Sequence, residues 1–398
     1  MAQPEDLDQW FPRPPDQAQA PGLGIVVGGS LSKGLEVKLS PQTVIEGLAV
    51  GRYVVIHGRT GRRFFSIVND VALDATNPLI EKTPPDVSDP FIAQVHRGTS
   101  TFGRIHVAPM LVLERDEDEP RPVKTVPSHF STVYEAGPED VGLVFGDERQ
   151  EGFFTIGEPL DMAGIPVPIN LYRFVERSAG IFGKTGTGKT FLTRLLLAGL
   201  MRESVAVSLV FDMHNEYGWK SQDESQQEVK GLRQLFPTGE VSVFTLDEES
   251  SRRRGSKVDS VVRIGYDQIE PEDVDSLASL LALSDVQVGA LYFLRRRLGK
   301  KWIERLLDEE DPLDDLADAL ERGTIHGGTL GAIQRKLGMF RRFGFLQQKV
   351  DQDPIREILD YLDRGVSIVL EFGRFGGSLE AYLLVANYIT RRIHSHYV

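Results

Sequence analysis

The chain contains no cysteine, which excludes disulfides, thiolate metal sites and cysteine nucleophiles. Long apolar runs are missing as well. None approaches the roughly 20 residues that span a bilayer, and residues 1–8 have neither the basic nor the apolar region of a secretory signal. No membrane partner is expected, and cytoplasmic residence is the default. The histidines show no H-E-x-x-H or other close ligand spacing, so no zinc site is expected. Basic residues are the scarcer charge, 45 against 58 acidic, for a formal net charge of −13. That balance argues against a chain coated in nucleic acid but leaves room for a local basic channel, because DNA responds to the field where it sits.

With 398 residues, the chain is long enough for two or more domains with substantial cores. Residues 1–22 are rich in Pro, Gln, Asp and Ala and read as a flexible leader. Short β-type runs follow at 24–27, 35–39, 52–56, 64–68, 105–107 and 110–113, separated by Gly, Pro and Asp. Strands at this density predict a small N-terminal β-barrel or sandwich over about 23–150. The acidic stretch 114–119 reads as a solvated hairpin tip or loop.

Gly183, Lys184, Thr185, Gly186, Thr187, Gly188, Lys189 and Thr190 fit the phosphate-binding pattern G-x-x-x-x-G-K-[ST]. An apolar entry at Ile181 and Phe182 precedes them and a helical pattern over 191–201 follows, which is the context such a loop needs. The glycines let the backbone wrap around phosphates and the helix N-terminus adds partial positive charge. Lys189 is expected to reach the β- and γ-phosphates of a nucleoside triphosphate, and the Thr190 hydroxyl to ligate Mg²⁺. A plain turn would need neither residue at these offsets.

Downstream, 205–211 is a nearly continuous apolar run of the kind buried on both faces of a parallel sheet, and it ends in Asp212. Comparable runs occur at 241–246 and 366–370, with helical periodicity between them. The fold class is therefore α/β: a P-loop RecA-like core over 151–398, interrupted by an inserted helical bundle at about 270–347. Asp212 and Glu216 lie where open α/β sheets place ligand-binding groups. Asp212 there is expected to hold the Mg²⁺ shell or its water, and Glu216 to orient or deprotonate the attacking water. The bland reading makes Asp212 a helix cap and Glu216 an exposed loop residue. Glu371, at another strand end, is a further candidate.

A small barrel, a G-x-T-G-x-G-K-[ST] loop and a strand ending in Asp212, Met213, His214, Asn215, Glu216 and Tyr217 resemble the HerA group of the HerA–FtsK superfamily. That group usually has D-P-H-G-E-Y at the second motif, so Met213 and Asn215 replace Pro and Gly while the polar positions are kept. The resemblance covers the chain from about residue 22 onward. It implies a hexameric, ATP-driven translocase on double-stranded DNA, commonly working with a NurA-type nuclease in end resection; some relatives pair with other effectors in phage defence. It also implies a later strand with an acidic pair, E-E-A-H or D-E-A-H, which does not occur before Val398. On that ground the chain is expected to be a fragment that binds ATP and hydrolyses it poorly, with the principal catalytic glutamate and the arginine finger lying beyond it. The alternative makes Asp212 and Glu216 the Walker acids of a shorter ATPase. The last helix, with Leu379, Leu383, Ala386, Ile389 and Ile393 on one face, presents an apolar stripe that a sheet should cover.

A translocase needs cations facing the duplex. Arg252, Arg253 and Arg254, in a polar segment with Lys257, are the candidate DNA contacts, expected on a mobile loop. Clusters at 295–301 and 335–342 read as exposed helix faces. Two functions of different class remain open: a DNA motor, or a nucleotide-gated assembly platform for an effector. The phosphate loop also permits a small-molecule kinase, which the barrel and helical insertion do not support.

Overall fold

The computed structural model describes residues 22–97, 99–114, 119–159, 162–222, 228–308, 310–311 and 313–398. The expected leader, apart from Gly22, and most of the acidic stretch 114–119 lie outside the described residues. The chain divides into two compact units, one ending at Ser178 and the other spanning Ala179–Val398.

In the first unit the strands are β1 (Gly24–Ser30), β2 (Gly34–Leu39), β3 (Tyr53–His57), β4 (Arg63–Ala75), β5 (Thr101–Leu113), β6 (Arg121–Pro122) and β7 (Thr132–Glu135). Six of them close in the cycle β1–β2–β5–β4–β3–β7–β1, every pair antiparallel, while β6 lies along β5. Closure pairs strand edges that would otherwise be exposed. Alternation along β3 shows how the wall is built: Val54 and Ile56 join Val26, Val37, Ile105 and Val107 inside, whereas Val55 packs outward with Phe65 and Val141. Val141 belongs to the helix Pro138–Phe145, so a helix covers part of the outer face. The expected runs 105–107 and 110–113 are one continuous strand, β5. The closing strand β7 has no counterpart among the expected runs; it is four residues long and ends just before Gly137.

The second unit is built on a parallel sheet. Its order from one edge is Leu209–Asp212, Ser367–Glu371, Val241–Thr245 and Ser260–Val261. All residues of the two middle strands are buried, as a parallel sheet covered on both faces requires. The run at 205–211 starts pairing only at Ser208, whose carbonyl accepts from the Ile368 N–H at 2.8 Å. Ile181 and Phe182 form no strand, and Phe182 is 93% exposed. Extended backbone counts as strand only when a partner lies about 4.8 Å away, and no described strand flanks this segment.

The insertion is helical as expected, with Asp285–Leu298 and Gly327–Leu337 its longest helices. Its base is closed by a short parallel pairing of Ile264–Gly265 with Leu346–Gln347. Trp302, Ile333, Phe340, Phe244 and Leu370 belong to one buried cluster, so the bundle and the sheet share a core. The last helix, Leu379–Tyr397, buries Ala381, Leu384, Val385, Tyr388 and Ile389. This corrects the expected stripe: Leu379 is exposed and Leu383 and Ala386 are only half-buried. The buried face includes Tyr388 and runs on to Arg392, whose polar ends are met by Gln268 and Asp273. Apolar spacing alone discounts those two residues, which is why it selects the neighbouring face.

Candidate nucleotide-binding site

Gly183 to Gly188 form an exposed loop, and Lys189 and Thr190 open the 14-residue helix Lys189–Arg202. Gly186 and Gly188 have φ of 83° and 84°, the left-handed region that side chains rarely adopt. At Gly183 an added Cβ would come 2.4 Å from the Thr187 hydroxyl, which would have to move from its bond to the Lys184 carbonyl. The Lys184 carbonyl accepts from the Thr187 hydroxyl at 2.8 Å and from the Lys189 ammonium at 2.7 Å. The loop is thus folded back so that the ammonium, the helix N-terminus and flexible glycine backbone converge, which is the donor set a polyphosphate needs.

Facing it is the turn after the strand Leu209–Asp212. The Asp212 carboxylate is buried and accepts from the N–H groups of Glu216 at 2.9 Å and Tyr217 at 2.8 Å. Burial pushes the Asp212 carboxyl above the usual carboxylate range, outweighing the opposing pull of these hydrogen bonds. Asp212 therefore shapes the turn. The residue that reaches the loop is Glu216, whose carboxylate accepts from the Thr190 hydroxyl at 2.9 Å. His214 between them is exposed. Asn215 adopts φ of 59°, where the family pattern has glycine, so the substituted turn keeps a left-handed residue; asparagine is among the few side chains that tolerate one.

Sequence reasoning missed Arg194. It is buried within the helix Lys189–Arg202, and its guanidinium donates to the Glu216 carbonyl at 2.5 Å. Burial lowers its pKa, which in an arginine still leaves the charge in place. The signal was present as a single cation within the apolar run of that helix.

Glu371 is paired in register with Asp212 on one side and Thr245 on the other, at the same end of the sheet. It is fully buried and accepts from Arg254 at 2.7 Å and from the hydroxyls of Ser251 at 3.1 Å and Ser256 at 3.2 Å. The expected mobile loop around 252–254 is ordered instead. Glu248–Arg253 is a helix with Arg254 as its C-cap, since Asp247 accepts from the Ser250 N–H and caps its start. Arg252 and Arg253 are exposed and paired with Glu248 and Glu249 one turn back.

A family model described as "Helicase HerA, central domain" matches residues 154–393. The chain belongs to the HerA helicase family. No curated protein matches it. HerA membership implies an ATPase that binds nucleotide, and the loop described above lies inside the matched span. Among the described residues no helix is long and apolar enough to cross a membrane, and no group of three or more His, Cys, Asp or Glu side chains is placed to hold a metal.

Proposed function

We propose that this HerA-family chain is an ATP-driven translocase on double-stranded DNA that acts as a ring, most simply a hexamer, beside a NurA-type nuclease or another effector. The carrying observation is the hydrogen bond from Thr190 to Glu216, which puts a carboxylate at the N-terminus of the helix behind the phosphate loop. The donor set fits a triphosphate: an ammonium, a helix start and two glycines in a left-handed backbone that other residues rarely adopt. The hydroxyl and carboxylate oxygens of Thr190 and Glu216 suit Mg²⁺, which prefers hard oxygens and keeps several waters. When bound, Mg²⁺-ATP supplies the scissile anhydride and a counter-charge for its phosphates.

The protein groups then have distinct tasks. Lys189 exchanges the Lys184 carbonyl for phosphate oxygen and holds it. Thr190 would hold the metal, with Asp212 fixing the turn from which Glu216 projects. Glu216 takes a proton from, or aligns, the attacking water. Arg194 anchors the Glu216 backbone to the helix, so loop and carboxylate keep their spacing. Arg252 and Arg253 are the proposed duplex contacts, and Arg254 serves them from below. The domain boundary near residue 150 is likewise proposed on the resemblance.

ATP turnover measured with and without linear duplex DNA, alongside mass in solution, tests the proposal. Turnover raised by DNA in a species of several copies supports it. Turnover indifferent to DNA sinks the motor and favours the nucleotide-gated platform.

A further inference from the structure

The helix Glu248–Arg253 is tied at both of its ends to the turn that carries Glu216. At its start, the Asp247 carboxylate accepts from the Arg374 N–H at 3.2 Å, and the adjacent Gly373 N–H donates to Asn215 at 2.9 Å. At its finish, Arg254 binds Glu371. The backbone of Gly218, two residues beyond Glu216, lies so close to Glu371 that an added Cβ would come 3.0 Å from its carboxylate. Glu371 thus stands between the nucleotide-side turn and the helix that presents Arg252 and Arg253.

Glu371 is fully buried while the Arg254 side chain is one-third exposed, and such a pair is a weak source of stability, because desolvating the carboxylate cancels much of the attraction. What Glu371 and Arg254 supply is direction. Their bond fixes the C-cap of the helix to a strand end adjacent in register to Asp212. Asp212 and Glu371 are register partners on neighbouring parallel strands, and, after burial, the charge of Glu371 raises the Asp212 pKa further, while Glu371 itself is bound by Arg254. A cation or a rearranged turn on the Asp212 side therefore alters the field that Glu371 and Arg254 share.

We infer that Glu371 is a positioning residue that couples nucleotide occupancy at Gly183–Thr190 to the placement of the 247–256 segment, and so to the exposed Arg252 and Arg253. The inference rests on the nucleotide-site reading above. It makes Glu371 neither a metal ligand nor a catalytic base, and it gives the three arginines two roles instead of one.

Hydrogen exchange followed by mass spectrometry tests it on the full chain, with and without Mg²⁺ and a non-hydrolysable ATP analogue. In the wild type the analogue should slow exchange at 183–190 and 212–218, and change it at 247–256 by about fivefold or more, the lower end of usual couplings. In the double variant Glu371→Gln with Arg254→Gln, which leaves no buried charge unpaired, the first two changes should persist while the third falls below about twofold. A merely structural pair would shift exchange at 247–256 equally with and without analogue. Retention of the third change in the variant overturns the inference, as does its absence in the wild type. Absence of any change at 183–190 overturns the nucleotide-site reading and the inference with it.

Discussion

The Thr190 hydroxyl donates to the Glu216 carboxylate across 2.9 Å, joining the first turn of the phosphate-loop helix to a turn that follows the edge strand of the sheet. Twenty-six residues separate the two in sequence. The contact exists because the strand Leu209–Asp212 ends beside the start of that helix, and Arg194 holds the Glu216 backbone there.

Lys189→Ala should weaken ATP binding by about 2–3 kcal/mol, roughly 30- to 150-fold, since it removes the charged donor from the loop. Titration of a fluorescent nucleotide measures this directly. Binding within a factor of two of wild type would remove Lys189 from the site.

Glu216→Gln separates binding from chemistry. The amide keeps its oxygen for Thr190, so nucleotide affinity should stay within a few fold while single-turnover hydrolysis falls by roughly 10²–10⁴, the usual worth of a positioned base. Unchanged turnover would mean that another carboxylate does the work.

Neutralising Arg252 and Arg253 together should weaken duplex binding and flatten its salt dependence by about 0.9 for each phosphate that the variant no longer neutralises. Arg254→Ala should behave differently. It strands a fully buried carboxylate, so the principal effect should be a loss of stability of about 2 kcal/mol or more, read as a lower unfolding midpoint. If the two variants show equal stability and equal salt slopes, the division of roles is wrong.

Asp212 gives a pH signature. Because burial raises its folded-state pKa above the ordinary 3.8, its contribution to stability is full below that ordinary value and lost as pH rises through the folded one. Asp212→Asn cannot ionise and escapes this loss, although it starts about 1 kcal/mol behind because one acceptor oxygen is replaced by a donor. Urea unfolding at about pH 4 and about pH 7 should show the difference moving in the variant's favour as pH rises. A difference that is constant, or that moves the other way, would place the Asp212 carboxylate in a more polar setting than described.

Much of the fold was legible because it is written in local spacing. The glycines and Lys189-Thr190 give the phosphate-loop pattern, the runs at 241–246 and 366–370 declare buried parallel strands, and dense short β runs declare the barrel. What escaped was whatever depends on partners. The stripe on the last helix was read one face away because Tyr388 and Arg392 count as polar until Gln268 and Asp273 are seen to satisfy them. The closing strand Thr132–Glu135 is too short to announce itself. The segment around Arg252 looked like a loop because its helix depends on a cap and a C-terminal anchor that sequence does not display.

The sequence by itself determined that this chain has a loop of the phosphate-binding pattern, an α/β core and two acidic positions at a strand end, since each is set by residues within a few positions of one another. Tertiary structure alone decided which partner each acid meets. Asp212 turns into its own backbone and Glu216 meets Thr190. Glu371 is claimed by an arginine 117 residues earlier, because parallel strands far apart in sequence end side by side, and a carboxylate buried there persists only with the partners that the fold delivers.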